Sequence, residues 1–239
     1  MIAIFALRLA FGLLACLWLL SPAQVNPRFF RVHFLTVLGL TAVAWFFARE
    51  EAGVAAQLIL AAALLLCFVG SVVWHVEGAP LGRLCMYAAT AALGAGLVLV
   101  GNEPADDFAS AAVLGSATTA MLMGHSYLIA PAMSLSPLLT LLGALGISLT
   151  ARMALAAVGL WQWTDSVTWS NLKFEFLLWL SVRWLVGFVG PVALGWMAWE
   201  ATRIRSTQSA TGILYVVVIL CFLGELTSQL LLSKTGFVL

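Results

Sequence analysis

The chain has 239 residues, 63% of them hydrophobic and 9% charged, with a formal net charge of +1 and a mean hydropathy of +1.08. Soluble domains carry about a quarter charged residues, so a chain this poor in charge cannot cover a water-facing surface, and lipid must be its solvent. A near-zero net charge without a basic stripe excludes nucleic acid as a partner. At about 20 residues per membrane helix, eight helices use most of the chain and leave no room for a soluble domain.

Pro, Gly and charged residues cut the apolar runs into eight predicted helices, near 2–20, 31–48, 53–75, 83–101, 108–130, 137–160, 174–199 and 210–233. The fold class that follows is an all-α integral membrane protein with about eight transmembrane helices. The first run is a retained helix and not a signal peptide, because Arg8 lies within it and no small-residue cleavage signature follows. The second is bounded by Arg31 and His33 at one end and Arg49 at the other. AATAALGAG in the fourth, and Gly115 with Ser116 in the fifth, are small residues suited to close helix packing. GAGLVLVG ends the fourth helix, so it is no dinucleotide-binding turn. The longest connection, 161–173, holds Trp161, Trp163 and Trp169, either an interfacial aromatic belt or a lid over a site. Gly187 and Gly190-Pro191 predict a kink in the seventh helix. Ser209 or Thr211 is expected to cap the eighth. Cys16, Cys67, Cys85 and Cys221 all lie in apolar runs without a CxxC pair and read as packing residues.

Orientation follows from Lys and Arg. The junctions after the odd-numbered helices hold Arg28, Arg31, Arg83, Arg203 and Arg205; the opposite face holds Arg49, Lys173 and Lys234. That opposite face also carries Glu50, Glu51, Glu103, Asp106, Asp107 and Asp165. The bias places both termini on the non-cytoplasmic side, in the plasma (inner) membrane of a bacterium.

Weak internal similarity points to a tandem repeat of two four-helix units, 1–102 and 103–239. Pro22 and Pro27 match Pro131 and Pro137, Gly70 and Trp74 match Gly195 and Trp199, Glu50 matches Glu175, and Tyr87 matches Tyr215. An even number of helices per unit keeps both halves in one orientation, so the repeat would be parallel.

Arg8, Arg152, Arg183 and Glu225 fall well inside predicted spans, where a charge costs about 2.5–3.5 kcal/mol on insertion scales. All four lie roughly 4–6 Å to the outer side of their segment centres. In the repeat their counterparts are the apolar Ala117, Ala42, Leu58 and Leu97. Three arginines against one glutamate leave an excess of positive charge, and Arg suits bidentate recognition of carboxylate or phosphate. The expected site is an anion-accepting cavity open to the outer face. It is formed by Arg8, Arg152 and Arg183, with Glu225 holding one arginine, Gln229 adding a polar contact and Ser181 a weaker candidate. The bland alternative is a structural pairing of Glu225 with one arginine while the others reach the interface or bond to carbonyls.

Of the three histidines, His33 and His75 fall at cytoplasmic helix ends, and His125 roughly 9 Å to the cytoplasmic side of the midplane. One histidine at useful depth cannot supply two axial haem ligands, and the spacing fits no metal site. His125 with Tyr127 is a secondary site candidate; no cofactor is identified. No G-x-S-x-G, Walker, HExxH or paired-carboxylate motif occurs, so an enzyme is disfavoured. Two functions stay open. One is a non-catalytic scaffold or ligand-binding subunit of a membrane complex, with a quinone, lipid or other cofactor as ligand and partner subunits or a homo-oligomer around it. The alternative is a transporter or channel for a small anion or anionic metabolite, which would need a polar path running on toward the cytoplasm.

Overall fold

The computed structural model describes residues 1–49, 52–76, 79, 81–101, 103–130, 132–166 and 174–239. Glu50, Glu51, Pro131, Trp169 and Lys173 therefore lie outside the described residues. Among those described, the chain forms eight helices and no strand: α1 Ile2–Leu17, α2 Pro27–Ala48, α3 Val54–Val73, α4 Gly82–Val100, α5 Pro104–Ile129, α6 Ser136–Ser166, α7 Phe174–Arg203 and α8 Thr207–Thr235.

Several helices run beyond their expected ends, for local reasons. Pro27 opens α2 at a position where its missing N–H costs nothing, and the Asn26 side chain accepts the Arg28 amide at 2.9 Å. Arg31 and His33 thus lie inside α2 and not before it. Pro104 opens α5 in the same way and draws Asp106 and Asp107 into its first turn, where the helix dipole favours negative charge. α6 continues through Trp161 and Trp163, so these are helical residues and not part of a loop. Trp163 is buried against Phe176, while Trp161 is exposed. α8 begins at Thr207, which puts Ser209 and Thr211 inside the helix; Thr211 Oγ1 donates to the Thr207 carbonyl at 2.7 Å and caps nothing. Where a kink is expected in α7, the chain forms a π segment, Val182–Val189, that ends at Gly190-Pro191. A wider turn before proline leaves room for its ring and its missing donor.

Six of the helices, α2, α3, α4, α6, α7 and α8, are long and apolar enough to cross a membrane. α1 has only 16 residues, and α5, with 26, is less apolar. Position in the bundle explains both. α1 packs on α2, α4 and α5, and α5 packs on α1, α6 and α8; the α1–α5 seam is the most extensive contact that either of these two helices makes. More than half the residues of each are buried, against 22% to 44% of the apolar windows in the six outer helices. A helix shielded from lipid by its neighbours can carry small and polar residues, because the protein and not the bilayer surrounds them.

The packing order is cyclic in both halves. α1 meets α2, α2 meets α3, α3 meets α4 and α4 returns to α1; α5, α6, α7 and α8 form the same ring. The rings join along α1 and α5. There Gly12 faces Ala111 and Gly115 so closely that a methyl group on either glycine would overlap the opposing backbone.

Candidate functional site

The three arginines expected inside the membrane come together near one end of the bundle, and two aspartates from the first turn of α5 join them. Arg8 Nε donates to Asp107 Oδ1 at 2.8 Å, and its Nη2 lies 2.5 Å from Asp106 Oδ2. Arg152 Nη2 approaches the other oxygen of Asp106 to 2.6 Å as an ion pair without hydrogen-bond alignment. Arg152 Nε is 3.3 Å from both Glu225 oxygens. Glu225 Oε1 also accepts from Arg183 Nη1 at 3.0 Å. The result is an alternating chain, Asp107–Arg8–Asp106–Arg152–Glu225–Arg183, that stitches α5, α1, α6, α8 and α7 together. All six side chains are essentially inaccessible to solvent.

Neutral groups complete the cluster. Ser110 Oγ lies 3.3 Å from Arg8 Nη1. Ser228 Oγ accepts from Arg152 Nη2 at 2.9 Å and donates to the Leu239 main-chain oxygen at 3.0 Å. Arg183 Nε donates to that same oxygen at 3.1 Å, and its guanidinium carbon sits 4.1 Å from the centre of the Phe188 ring. Arg183 leaves the π segment of α7. Beside it Gly187 and Gly224 are packed so tightly that a side chain on either would strike the other's backbone, and this close approach of α7 to α8 is what lets Arg183 reach Glu225.

The charge count differs from the sequence expectation. Three arginines face three carboxylates, not one, so the formal excess of positive charge disappears. A helix start at residue 108 would leave both aspartates in an outer loop; the start at Pro104 brings them into α5. Their signal was present all the same: a Pro-x-Asp-Asp start, and three membrane arginines short of counter-ions.

The other candidates separate. Gln229 lines a cavity of about 350 Å³ at the same end, together with Arg8, Glu103 and Asp107, and neither of its amide atoms has a hydrogen-bond partner among the described residues. Ser181 is exposed and spends its hydroxyl on the Leu177 carbonyl. Tyr127 is buried and donates to the Ser134 carbonyl, which ties α5 to the start of α6. His125 is exposed, near the opposite end of the bundle. It lines a second cavity, of about 300 Å³, which His33 also lines. His33, expected at an interface, is wholly buried instead.

These features define the class: an all-helical membrane protein with a charge-balanced ion-pair cluster buried among its helices. The chain matches no protein-family model, no curated protein and no solved structure.

Proposed function

We propose that this protein is a non-catalytic, ligand-binding scaffold of the membrane, a subunit that holds a lipophilic ligand or a partner helix and moves nothing across. The observation that carries this reading is the stoichiometric cluster. A transport site for an anion needs positive charge in reserve, whereas here each guanidinium already faces a carboxylate. Buried pairs of this kind are best attested as devices that fix one arrangement of the parts they join. Arg8 is the sole cluster arginine from the first half, and its partners both belong to α5, so the cluster would lock the two four-helix rings together. Further along α1 and α5, the Gly12–Gly115 seam fills with backbone the space that a polar path would occupy.

The same reading takes the two rings as a parallel duplication, 1–102 and 103–239, supported by their identical packing order. It takes all eight helices as spans of a bacterial inner membrane with both termini outside the cytoplasm, supported by the Arg-rich junctions after α1, α3 and α7. The second reading, passage of a small anion, draws on two buried guanidinium nitrogens without hydrogen-bond partners among the described residues, Arg152 Nη1 and Arg183 Nη2.

Purification in mild detergent, with mass spectrometry of copurifying lipids and proteins, separates the two. A stoichiometric lipophile or membrane partner is the expected result. A partner-free protein that carries chloride or phosphate into liposomes, and loses that flux in Arg183→Gln, would overturn the scaffold reading in favour of transport.

A further inference from the structure

Away from the ion-pair cluster, the opposite end of the bundle keeps its positive charge unspent. Arg28, Arg31, Arg83 and Arg205 all lie there, at the α1–α2, α3–α4 and α7–α8 junctions. Among the described residues none of the four has an ion pair or a side-chain hydrogen bond. The other described arginines and Lys234 each have an acid or an aromatic ring as partner. Arg28 and Arg31 line one cavity, of about 700 Å³, between the start of α2 and the end of α3, where His75 joins them. Arg28 and His75 are exposed and Arg31 is half-buried, so this polar lining is open to a ligand. Asn26 lines the cavity too; its Oδ1 accepts the Arg28 amide, which leaves its Nδ2 as a further donor. Among the described residues no carboxylate lines the cavity.

The apolar part of the lining lies one turn further into the span. On α2, Val32 follows Arg28 and Leu35 follows Arg31 at i+4, so each arginine has an apolar residue beneath it on the same face. Val32 and Leu35 are 49% and 46% exposed, and Val76 beyond the end of α3 is 53% exposed. α2 and α3 are both long and apolar enough to cross a membrane, and exposed apolar surface on such helices faces lipid. A ligand that meets guanidinium groups at the helix end and hydrocarbon one turn deeper has an anionic head and an apolar tail. The planar fork of Arg suits the paired oxygens of a phosphate, and basic pockets between membrane helices hold lipid head groups in this way. A free phosphate would leave the apolar rim unused. A zwitterionic lipid would bring an ammonium group that no described carboxylate meets.

We infer that the cleft between α2 and α3 holds the phosphate of an anionic phospholipid, gripped by Arg28 and Arg31 with Asn26 and His75 beside them, its acyl chains lying along Val32, Leu35 and Val76. The inference rests on the ligand-binding reading above and names one ligand class and its place.

The test uses the full chain, delipidated in detergent and titrated under native mass spectrometry. The probes are dioleoyl phosphatidylglycerol, dioleoyl phosphatidylcholine with the same chains, and glycerol 3-phosphate as the head without them. Phosphatidylglycerol is expected to fill one saturable site and to bind more tightly than phosphatidylcholine. Arg28→Gln with Arg31→Gln is expected to weaken it roughly thirty-fold, about five-fold for each arginine, down to the phosphatidylcholine level. Arg203→Gln with Arg205→Gln removes the same charge at the same end but outside the cleft, and should keep the preference. Glu77, next in sequence to Val76, lies outside the described residues; Glu77→Gln should keep or raise the affinity. A preference that survives the cleft double variant, an equal loss in the control double variant, or a loss in Glu77→Gln would each overturn the assignment. Displacement of the lipid by glycerol 3-phosphate at equal concentration would overturn it in favour of a free phosphate. If phosphatidylglycerol does not bind while another stoichiometric lipophile or a membrane partner copurifies, this inference falls alone; if nothing of either kind is held, the scaffold reading falls with it.

Discussion

Arg8 and Asp106 are 98 positions apart in the chain, yet Nη2 of the one lies 2.5 Å from Oδ2 of the other, inside the bundle. The pair fastens α1 to α5, and Asp106 passes the contact on to Arg152 of α6 through its second oxygen. A charge removed from such a chain leaves its neighbour buried without compensation, which in general costs about 3–5 kcal/mol. The position of each acid in the chain therefore decides how much its loss matters.

Glu225 serves two arginines and is the carboxylate that Arg183 contacts, whereas Arg8 keeps Asp106 when Asp107 is lost. Glu225→Gln should therefore destabilise by about 3–5 kcal/mol, and Asp107→Asn by clearly less. Thermal unfolding in detergent, followed by size-exclusion fluorescence, ranks the two. Equal losses would show that the cluster does not act as an ordered chain.

Gly12 meets the backbone of Ala111 and Gly115, while Gly39 in α2 has nothing within 4 Å of an added methyl. Gly12→Val should overpack the α1–α5 seam at a cost of about 1–3 kcal/mol or more. Gly39→Ala should be neutral or stabilise by roughly 0.5–1 kcal/mol through helix propensity. The same unfolding assay checks both, and a tolerated Gly12→Val would show that the two rings do not depend on that contact.

Lys234 and Glu175 also form an ion pair, at 2.8 Å, but their side chains are 45% and 63% exposed. Exposed pairs contribute about 0–1 kcal/mol. Lys234→Ala should shift the unfolding temperature far less than Glu225→Gln does, and the small shift should vanish in high salt.

Arg28 and Glu103 mark opposite ends of the bundle and both are exposed. In a Cys85→Ala background, whose other cysteines are buried, Arg28→Cys and Glu103→Cys should react with a membrane-impermeant maleimide from opposite sides of the membrane. In intact cells Glu103→Cys should be the labelled one. Labelling of both from one side would contradict three membrane crossings by α2, α3 and α4, the helices between the two positions.

Much of the fold is legible in the sequence, since each outer helix faces lipid and lipid enforces a long apolar run. Where neighbours replace lipid the run weakens, and for that reason the ends of α2 and α5 are not legible in apolar runs: Arg31, His33, Asp106 and Asp107 have the polarity of loop residues yet lie inside helices. The depth arithmetic that set Arg8, Arg152, Arg183 and Glu225 in one layer needed only helix rise per residue. Their counter-ions could not be read the same way, because Asp106 and Asp107 belong to a helix whose start depended on Pro104.

By itself, the sequence determined the solvent of this protein, the helical character of its chain, and the presence of charges inside the membrane. These depend on composition and on local periodicity, which need no knowledge of neighbours. Tertiary structure alone decided that the charges cancel, that Ser181 turns away while Ser110 and Ser228 turn inward, and that His33 is buried with one nitrogen unspent. Such facts depend on which faces of distant helices meet, and that is settled by close packing at Gly12, Gly115, Gly187 and Gly224: where side chains are absent, backbones approach, and long side chains beside them come within reach of their partners.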